Sequence, residues 1–187
     1  MTDLLLASQV RACKLCTLST TRNLAVPAWV GKNYTGLAIM CEAPGRDEDK
    51  YGVPLIGRAG QLMDTYLATV GLERDDLLLM NRIRCRPPNN DIRSGEAISA
   101  LAICDQWTEK ELDVYNPRVV VLAGSTAAKP IMGTTSVFVG RGSYAQVGTR
   151  TYVYTYHPAA ALRSPDLGRY IIEDLLLAKD LFNESNR

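Results

Sequence analysis

Four short apolar runs alternate along the chain with helical patterns, and this alternation constrains the fold more than any other feature of the sequence. The runs are rich in Val, Ile, Leu and Tyr, as buried strands are. They cover residues 37–40, 77–80, 119–122 and 152–156. The helical patterns cover residues 59–70, 96–114, 126–132 and 170–182. Strands that alternate with helices predict an α/β/α sandwich with a four-stranded, mainly parallel sheet covered on both faces.

The size and composition of the chain are those of an ordinary globular protein. Its 187 residues are 47% hydrophobic, so we expect a single domain spanning residues 1–187. Because no run of about 20 apolar residues could cross a bilayer, we expect a cytoplasmic protein with no membrane partner. The formal net charge of +1 neither requires nor excludes DNA, since a small footprint needs only a local basic face. We expect the protein to act as a monomer.

Residues that can do chemistry follow the predicted strands at their carboxyl ends. In open α/β sheets, ligands bind in the crevice beyond these ends. Glu42 follows the first strand in a Pro-Gly turn, Asn81 follows the second strand, and His157, the only histidine, follows the last. The pattern therefore predicts that these three residues converge on a single cleft.

Four of the five cysteines have a spacing that suits a metal centre. Cys13 and Cys16 are separated by two residues, and Cys85 and Cys104 form a second, distant pair. Four thiolates can bind zinc or an iron-sulfur cluster, and the ligand set alone does not choose between them. The alternative is that Cys85 and Cys104 are small buried hydrophobic residues, an interpretation that fits Cys41 best.

Five short motifs follow one another along nearly the whole chain. They are Cys-x2-Cys at 13–16, Glu-Ala-Pro-Gly at 42–45 with Glu48 and Asp49 behind it, Gly-Arg-Ala-Gly at 57–60, the stretch 81–88 with the third cysteine inside, and His-Pro-Ala-Ala-Ala-Leu-Arg at 157–163. In this order they resemble the family 4 uracil-DNA glycosylases, thermophile-type enzymes that carry a [4Fe-4S] cluster. The resemblance implies a DNA glycosylase that flips a uracil-type pyrimidine out of DNA and hydrolyses its N-glycosidic bond, leaving an abasic site for repair. It also implies a structural [4Fe-4S] cluster, rather than zinc, bound by Cys13, Cys16, Cys85 and Cys104.

The resemblance assigns roles to the residues at the predicted cleft. His157 would donate a hydrogen bond to O2 of the departing base, whose negative charge is the main obstacle to cleavage. Asn81 would read the Watson-Crick edge of the base, because an amide offers both a donor and an acceptor. Glu42 would position the attacking water and stabilise the sugar cation. The alternatives are a structural histidine at position 157 and a helix N-terminal acid at position 42.

Other residues are expected to contact the DNA backbone and the vacated base stack. Ser125 and Thr126 follow a glycine at a helix start, where they could bind a phosphate or form a simple N-cap. Leu162 and Arg163 would enter the minor groove and fill the space that the base leaves. Arg86 belongs to a basic stretch that follows the second strand.

The predicted base pocket departs from the family pattern. Leu55 stands where the family has a phenylalanine that stacks on uracil, and such stacking is worth about 1–3 kcal/mol per base. Ala43 and Gly45 belong to the matching Glu-Ala-Pro-Gly motif, but in family 1 enzymes the corresponding turn has a water-positioning Asp and a Tyr that screens C5. A wider pocket would accept a bulky 5-modified pyrimidine, such as the hydroxymethylated or glucosylated cytosine of phage DNA, and would serve antiviral defence. A further alternative is a non-catalytic DNA-binding module that keeps the fold and the cluster.

Overall fold

The computed structural model describes residues 3–133 and 136–185, and within them a six-stranded sheet forms the centre. Its strands are β1 (Trp29–Val30), β2 (Leu37–Cys41), β3 (Leu77–Asn81), β4 (Val119–Ala123), β5 (Tyr144–Val147) and β6 (Arg150–Thr155). They lie in the order β1-β3-β2-β4-β6-β5. The four central strands are parallel, and the two edge strands pair antiparallel to their neighbours.

The two edge strands correct the prediction of a four-stranded sheet. The four predicted strands are the parallel centre, and three of them are buried along their whole length. β1 has only two residues, which is too short to show a hydrophobic pattern. β5 is largely exposed, and Gly148, at φ +59°, helps form the tight turn that folds it back along β6. An edge strand with one solvated side lacks the apolar run by which a buried strand is recognised.

Helices cover both faces of this sheet. Within the described residues they are α1 (Asp3–Ala12), α2 (Arg46–Tyr51), α3 (Arg58–Thr69), α4 (Gly95–Tyr115), α5 (Ser125–Met132), α6 (Val137–Gly140), α7 (Pro158–Arg163) and α8 (Leu167–Glu184). Alternate strand residues face opposite layers, so Ile39 packs with α3, α7 and α8, whereas Met40 packs with α4 and α5. The result is an α/β/α sandwich. No helix described here has the length and apolarity needed to cross a membrane.

A third apolar cluster joins the N-terminal segment to α4. Leu6 and Val10 of α1 pack there with Ala100 and Trp107 of α4. Two of the candidate ligand cysteines belong to the same cluster, and the other two pack against it. The fold therefore attaches the N-terminal cysteine pair to the layer that carries the distant pair.

A buried ion pair fixes the loop that leaves β3. The Arg84 guanidinium donates to the Glu111 carboxylate over 2.6 Å, and each side chain is 1% exposed. The second Glu111 oxygen accepts a hydrogen bond from the Ala28 amide at 2.9 Å. Because a buried charge without its partner is strongly unfavourable, this pair holds the loop containing Cys85 against α4.

We predict that Glu111→Ala lowers the free energy of unfolding by about 3–5 kcal/mol, because it leaves the Arg84 guanidinium buried without a counter-charge. Asp113→Ala is the matched control, since Asp113 lies on the same helix but its side chain is 75% exposed in its pair with Arg150. That change should cost no more than about 1 kcal/mol. Urea unfolding followed by circular dichroism measures the free energy of unfolding of both variants. Equal, small losses in the two variants would contradict a stabilising role for the buried ion pair.

Candidate active site

A cleft of about 820 Å³ opens at the carboxyl edge of the parallel strands. The register sets Cys41 beside Asn81 and Ala123 beside Thr155, so the strands end nearly level and the segments that follow them meet. Most of the predicted site residues line this cleft. They are Glu42, Ala43, Gly45, Leu55, Asn81, Arg86, His157 and Arg163. Leu162 is not in the lining but is 39% exposed beside Arg163.

Asn81 ends β3 and lines the cleft. The residue is 2% exposed, and its Nδ2 has no hydrogen-bond partner in the described structure. Burying an amide donor without a partner costs free energy. An unpartnered donor in the wall of a cleft therefore points to a ligand that supplies the missing acceptor.

His157 caps the first turn of α7, and this contact fixes its tautomer. The Ala159 amide donates to Nδ1 over 3.1 Å, so in the neutral ring the proton lies on Nε2. Burial lowers the pKa of His157, and Arg163 lowers it further, against the opposing charges of Glu42 and Glu48. At neutral pH the ring is therefore uncharged, and its Nε2–H remains available as a donor.

Glu42 is held in place by the N-terminus of α5. Its Oε1 accepts a hydrogen bond from the Thr126 amide at 2.9 Å, and the Ser125 hydroxyl lies 3.5 Å from the same oxygen. Gly124 permits this approach, because it has φ +97° and a Cβ there would lie 2.7 Å from the Glu42 carboxyl carbon. The N-terminal donors of α5 are thus directed at a side chain of the cleft.

The expected DNA contact at Ser125 and Thr126 stays a prediction. Neither residue is part of the cleft lining, and the Thr126 amide already has the Glu42 carboxylate as its acceptor. A phosphate at this helix start would compete with that carboxylate for the same donors.

Glu48 is a cleft residue whose role the sequence analysis did not recognise. Its carboxylate is nearly buried and accepts hydrogen bonds from the amides of Gly45 (3.0 Å), Ile56 (2.9 Å) and Gly57 (2.7 Å). It therefore joins the turn after β2 to the segment before α3. The available sequence signal was an acid three residues after a glycine, which marks the first turn of a helix.

Arginines surround the mouth of the cleft. The lining contains Arg46, Arg58, Arg86, Arg93 and Arg163. Arg86 is oriented by Asn90, whose Oδ1 accepts from its Nε at 2.7 Å. The pairs of Arg46 with Asp47 and of Arg93 with Asp91 are long, at 3.7 and 3.6 Å, and both arginines are highly exposed. Such weakly paired guanidinium groups suit a polyanion.

The four candidate ligand cysteines gather around the third apolar cluster. Cys85 and Cys104 belong to it, and Cys13 and Cys16 pack against it. Burial raises the pKa of Cys104, and the neighbouring Cys16 and Cys13 raise it further, so the thiols are near one another. Within residues 3–133 and 136–185, however, no three His, Cys, Asp or Glu side chains are grouped so as to hold one metal ion.

The surroundings of these thiols fit an iron-sulfur cluster. In a [4Fe-4S] cluster each thiolate binds a different iron, so four soft donors must surround a volume rather than meet at one ion. Arg22 donates to Cys85 Sγ over 2.7 Å and to the Cys13 carbonyl, and hydrogen bonds to sulfur are a usual part of such sites. Cys41 lies apart, in the core against α3 and α8.

Comparisons with known proteins agree with this geometry. Residues 29–178 match the family model described as the uracil DNA glycosylase superfamily. The type-4 uracil-DNA glycosylase of Sulfurisphaera tokodaii is 34% identical, with 92% of this chain and 81% of that protein covered. Those of Archaeoglobus fulgidus and Pyrobaculum aerophilum are each 34% identical, covering 85% and 90% of this chain and 82% and 88% of their own lengths. The resemblance to family 4 is confirmed.

We predict that His157 stays neutral, with its proton on Nε2, below pH 6.5. Its pKa is lowered mainly by burial, whereas an unfolded chain has the ordinary value near 6.5. The unfolded state therefore binds the proton first, and the contribution of His157 to stability, fully present above about pH 6.5, is lost as pH falls. Nitrogen-15 NMR of the imidazole is unambiguous because the chain has one histidine. A titration midpoint at or above 6.5, or a proton on Nδ1, would contradict this.

Proposed function

Because this chain belongs to the uracil DNA glycosylase superfamily and is a DNA N-glycosylase, we propose that it flips a uracil-type pyrimidine out of DNA and hydrolyses its N-glycosidic bond. The product is a free base and an abasic site. A stacked base is out of reach, so flipping costs a few kcal/mol that the cleft must recover by binding the base. One observation carries the substrate proposal: the buried, unpartnered Nδ2 of Asn81, a residue that lines the same cleft as His157 with its Nε2–H.

Asn81 is proposed to read the edge of the base. Its Nδ2 donor suits O4 of uracil, and its Oδ1 acceptor suits N3–H. A base without a matching acceptor leaves Nδ2 buried and unpaired, which disfavours its capture. Because Asn81 ends a buried strand, it is held rigidly and loses little freedom when it binds.

His157 is proposed to bind the oxygen on which negative charge grows as the bond breaks. The base departs as an anion, and the Nε2–H of the neutral imidazole can donate a hydrogen bond to O2 as the negative charge develops. A donor already in place needs no reorganisation during the reaction, and such fixed donors are typically worth a factor of about 100–1000 in rate. The Ala159 amide provides this preorganisation by binding Nδ1.

Glu42 is proposed to act on the sugar side of the bond. One carboxylate oxygen is bound by the Thr126 amide, which fixes the group at the cleft and leaves the other oxygen to orient a water. Its negative charge would also stabilise the oxocarbenium-like sugar. The wall contains Ala43 and Gly45, which have no side chain that could take over this role.

The exposed arginines are proposed to bind the DNA backbone, while Leu162 and Arg163 enter the duplex. Arg46, Arg58, Arg86 and Arg93 lie around the mouth of the cleft, where phosphates on either side of a flipped nucleotide would pass. Leu162 is apolar and partly exposed at the end of α7, beside the cleft, as a residue that replaces a missing base must be.

A structural [4Fe-4S] cluster is proposed to be bound by Cys13, Cys16, Cys85 and Cys104. The support is the soft donor set, the shared apolar cluster and the guanidinium of Arg22 at Cys85. When bound, the cluster supplies a covalent link between the N-terminal segment and the loop after β3. The cluster takes no part in cleavage of the N-glycosidic bond.

A second candidate substrate is a bulky 5-modified pyrimidine, as in the DNA of phages. The observation in its favour is the composition of the cleft wall, which contains the small residues Ala43 and Gly45 and has Leu55 at the position where the family pattern has an aromatic ring. With such a substrate the enzyme would act in antiviral defence rather than repair. The activity of the family leaves no support for a non-catalytic module.

We predict that His157→Ala and Asn81→Ala each slow base release from uracil-containing DNA by about 100-fold or more. Duplex binding should change little, because the arginines at the mouth of the cleft are kept. Asn183→Ala is the matched control, since Asn183 is exposed on α8. Single-turnover base release detected by mass spectrometry gives the rates. Rates equal to that of the control would remove the catalytic assignment.

We predict that protein purified without oxygen is yellow-brown and holds about four iron atoms per chain. Cys85→Ser should lose the iron, whereas Cys41→Ser should keep it, because Cys41 lies in the core against α3 and α8, apart from the cluster of the other four cysteines. Metal analysis and absorption spectroscopy measure the outcome. Stoichiometric zinc without iron would refute the cluster.

We predict that Leu55→Phe separates the two candidate substrates. If the pocket takes a bulky base, the ring adds stacking but fills volume, so uracil release rises and release of the larger base falls. If uracil is the substrate, neither form releases hydroxymethylated or glucosylated cytosine. The test is mass spectrometry of the bases released from four matched duplexes, which contain uracil, cytosine, 5-hydroxymethylcytosine or glucosylated 5-hydroxymethylcytosine. Efficient uracil release by the wild type with no larger product excludes the wide-pocket alternative.

A further inference from the structure

Leu55, which lines the cleft, has a backbone conformation that leucine rarely adopts. Its φ is +55°, in the left-handed region, and the residue is 6% exposed. A side chain with a Cβ persists there only where the surrounding structure holds it, and such residues cluster at functional sites. The contacts that hold Leu55 therefore decide where its side chain stands in the base pocket.

Arg74 binds the two carbonyl groups of this turn from outside the cleft. Its Nη1 donates to the Pro54 carbonyl over 3.2 Å, and its Nη2 donates to the Leu55 carbonyl. Asp64 orients the guanidinium, with its two carboxylate oxygens 2.9 and 3.1 Å from Nη2. The guanidinium also lies over the ring of Trp29, 5.9 Å from its centre. Arg74 is not in the cleft lining.

Glu48 binds the two amide groups that come next. The Ile56 and Gly57 amides both donate to its Oε1, over 2.9 and 2.7 Å. Four main-chain groups of residues 54–57 are thus bound by two side chains of opposite charge, two carbonyls by Arg74 and two amides by Glu48. Gly60 closes the third side, because a Cβ there would lie 1.8 Å from the Leu55 carbonyl oxygen.

We propose that Arg74 is a positioning residue for the flipped base: by binding the Pro54 and Leu55 carbonyls, it keeps Leu55 left-handed and its side chain in the pocket wall. Arg74 contacts the pocket wall through the Pro54 and Leu55 carbonyls. Its effect on catalysis therefore passes through the side chain at position 55. The prediction for activity rests on the proposed function, whereas the prediction that Arg74 keeps the turn at Leu55 ordered does not.

A double-mutant cycle tests this route. Arg74→Gln removes one donor and the charge, so the turn relaxes, and kcat/KM for uracil release from a duplex should fall about tenfold, which is about 1.4 kcal/mol. In a Leu55→Ala background no side chain remains to be positioned, and the same substitution should change kcat/KM by less than about twofold. Equal losses in the two backgrounds would overturn the proposal, since a purely structural role is additive.

The matched control is Arg118→Gln. Arg118 also donates to a loop carbonyl, that of Thr35 at 3.0 Å, and also lies over an aromatic ring, that of Phe182. Its contact with Thr35 is at the amino ends of β4 and β2, away from the cleft. It should leave kcat/KM unchanged within about twofold. Arg74→Lys, which keeps the charge and a donor for one carbonyl, should recover part of the activity that Arg74→Gln loses.

Amide hydrogen exchange gives a readout that needs no activity. In Arg74→Gln the Ile56 and Gly57 amides should exchange about tenfold faster than in the wild type, and in Arg118→Gln they should not. Unchanged exchange would overturn the proposal. If Arg74→Gln does not fold, Asp64→Asn, which only frees the guanidinium, should shift exchange in the same direction. Should the wild type release no uracil, the proposed substrate fails, and exchange alone decides the role of Arg74.

Discussion

The parallel alignment of four buried strands is the constraint on which the rest of the structure depends. Parallel strands are joined by crossover segments that contain helices, so helix N-termini gather near the edge of the sheet where these strands end. The first main-chain amides of a helix have no acceptor within that helix. Three cleft side chains accept from such amides: Glu42 from α5, His157 from α7 and Glu48 from the start of α3. Two of the residues assigned to catalysis, Glu42 and His157, therefore also complete helix N-termini.

This arrangement explains how the cleft controls charge. The amide at Nδ1 forces the proton of His157 onto Nε2, while burial lowers the pKa of His157 and keeps the ring neutral. Glu42 and Glu48 oppose that shift, but both carboxylates are bound to amides. In the proposed mechanism the cleft combines a neutral donor for the base with an oriented carboxylate for the sugar, and the cleft lining also contains five arginines.

Sequence patterns predicted the parts of the molecule that follow from local periodicity. The four central strands have five or six residues each and are largely buried. Glu42, Asn81 and His157 lie at or just after the ends of these strands, so their meeting at one cleft could be expected. β1 and β5 could not, because a two-residue strand and an exposed edge carry no periodic signal. The left-handed turn at Leu55 is set by Arg74, 19 residues away. A leucine in the sequence gives no signal that its backbone is left-handed. The sequence also gives no signal that Glu48 binds three amides, because these amides lie on two separate segments.

The central claim is that a neutral His157 and the amide of Asn81 bind the flipped base together. A crystal structure of the protein with a duplex whose uracil carries a non-cleavable sugar tests it most directly. The account predicts uracil in the cleft, with O2 about 2.7–3.2 Å from Nε2 of His157 and O4 at a similar distance from Nδ2 of Asn81. A base bound elsewhere, or one in the cleft with His157 turned away and Nδ2 of Asn81 still unpartnered, would contradict it.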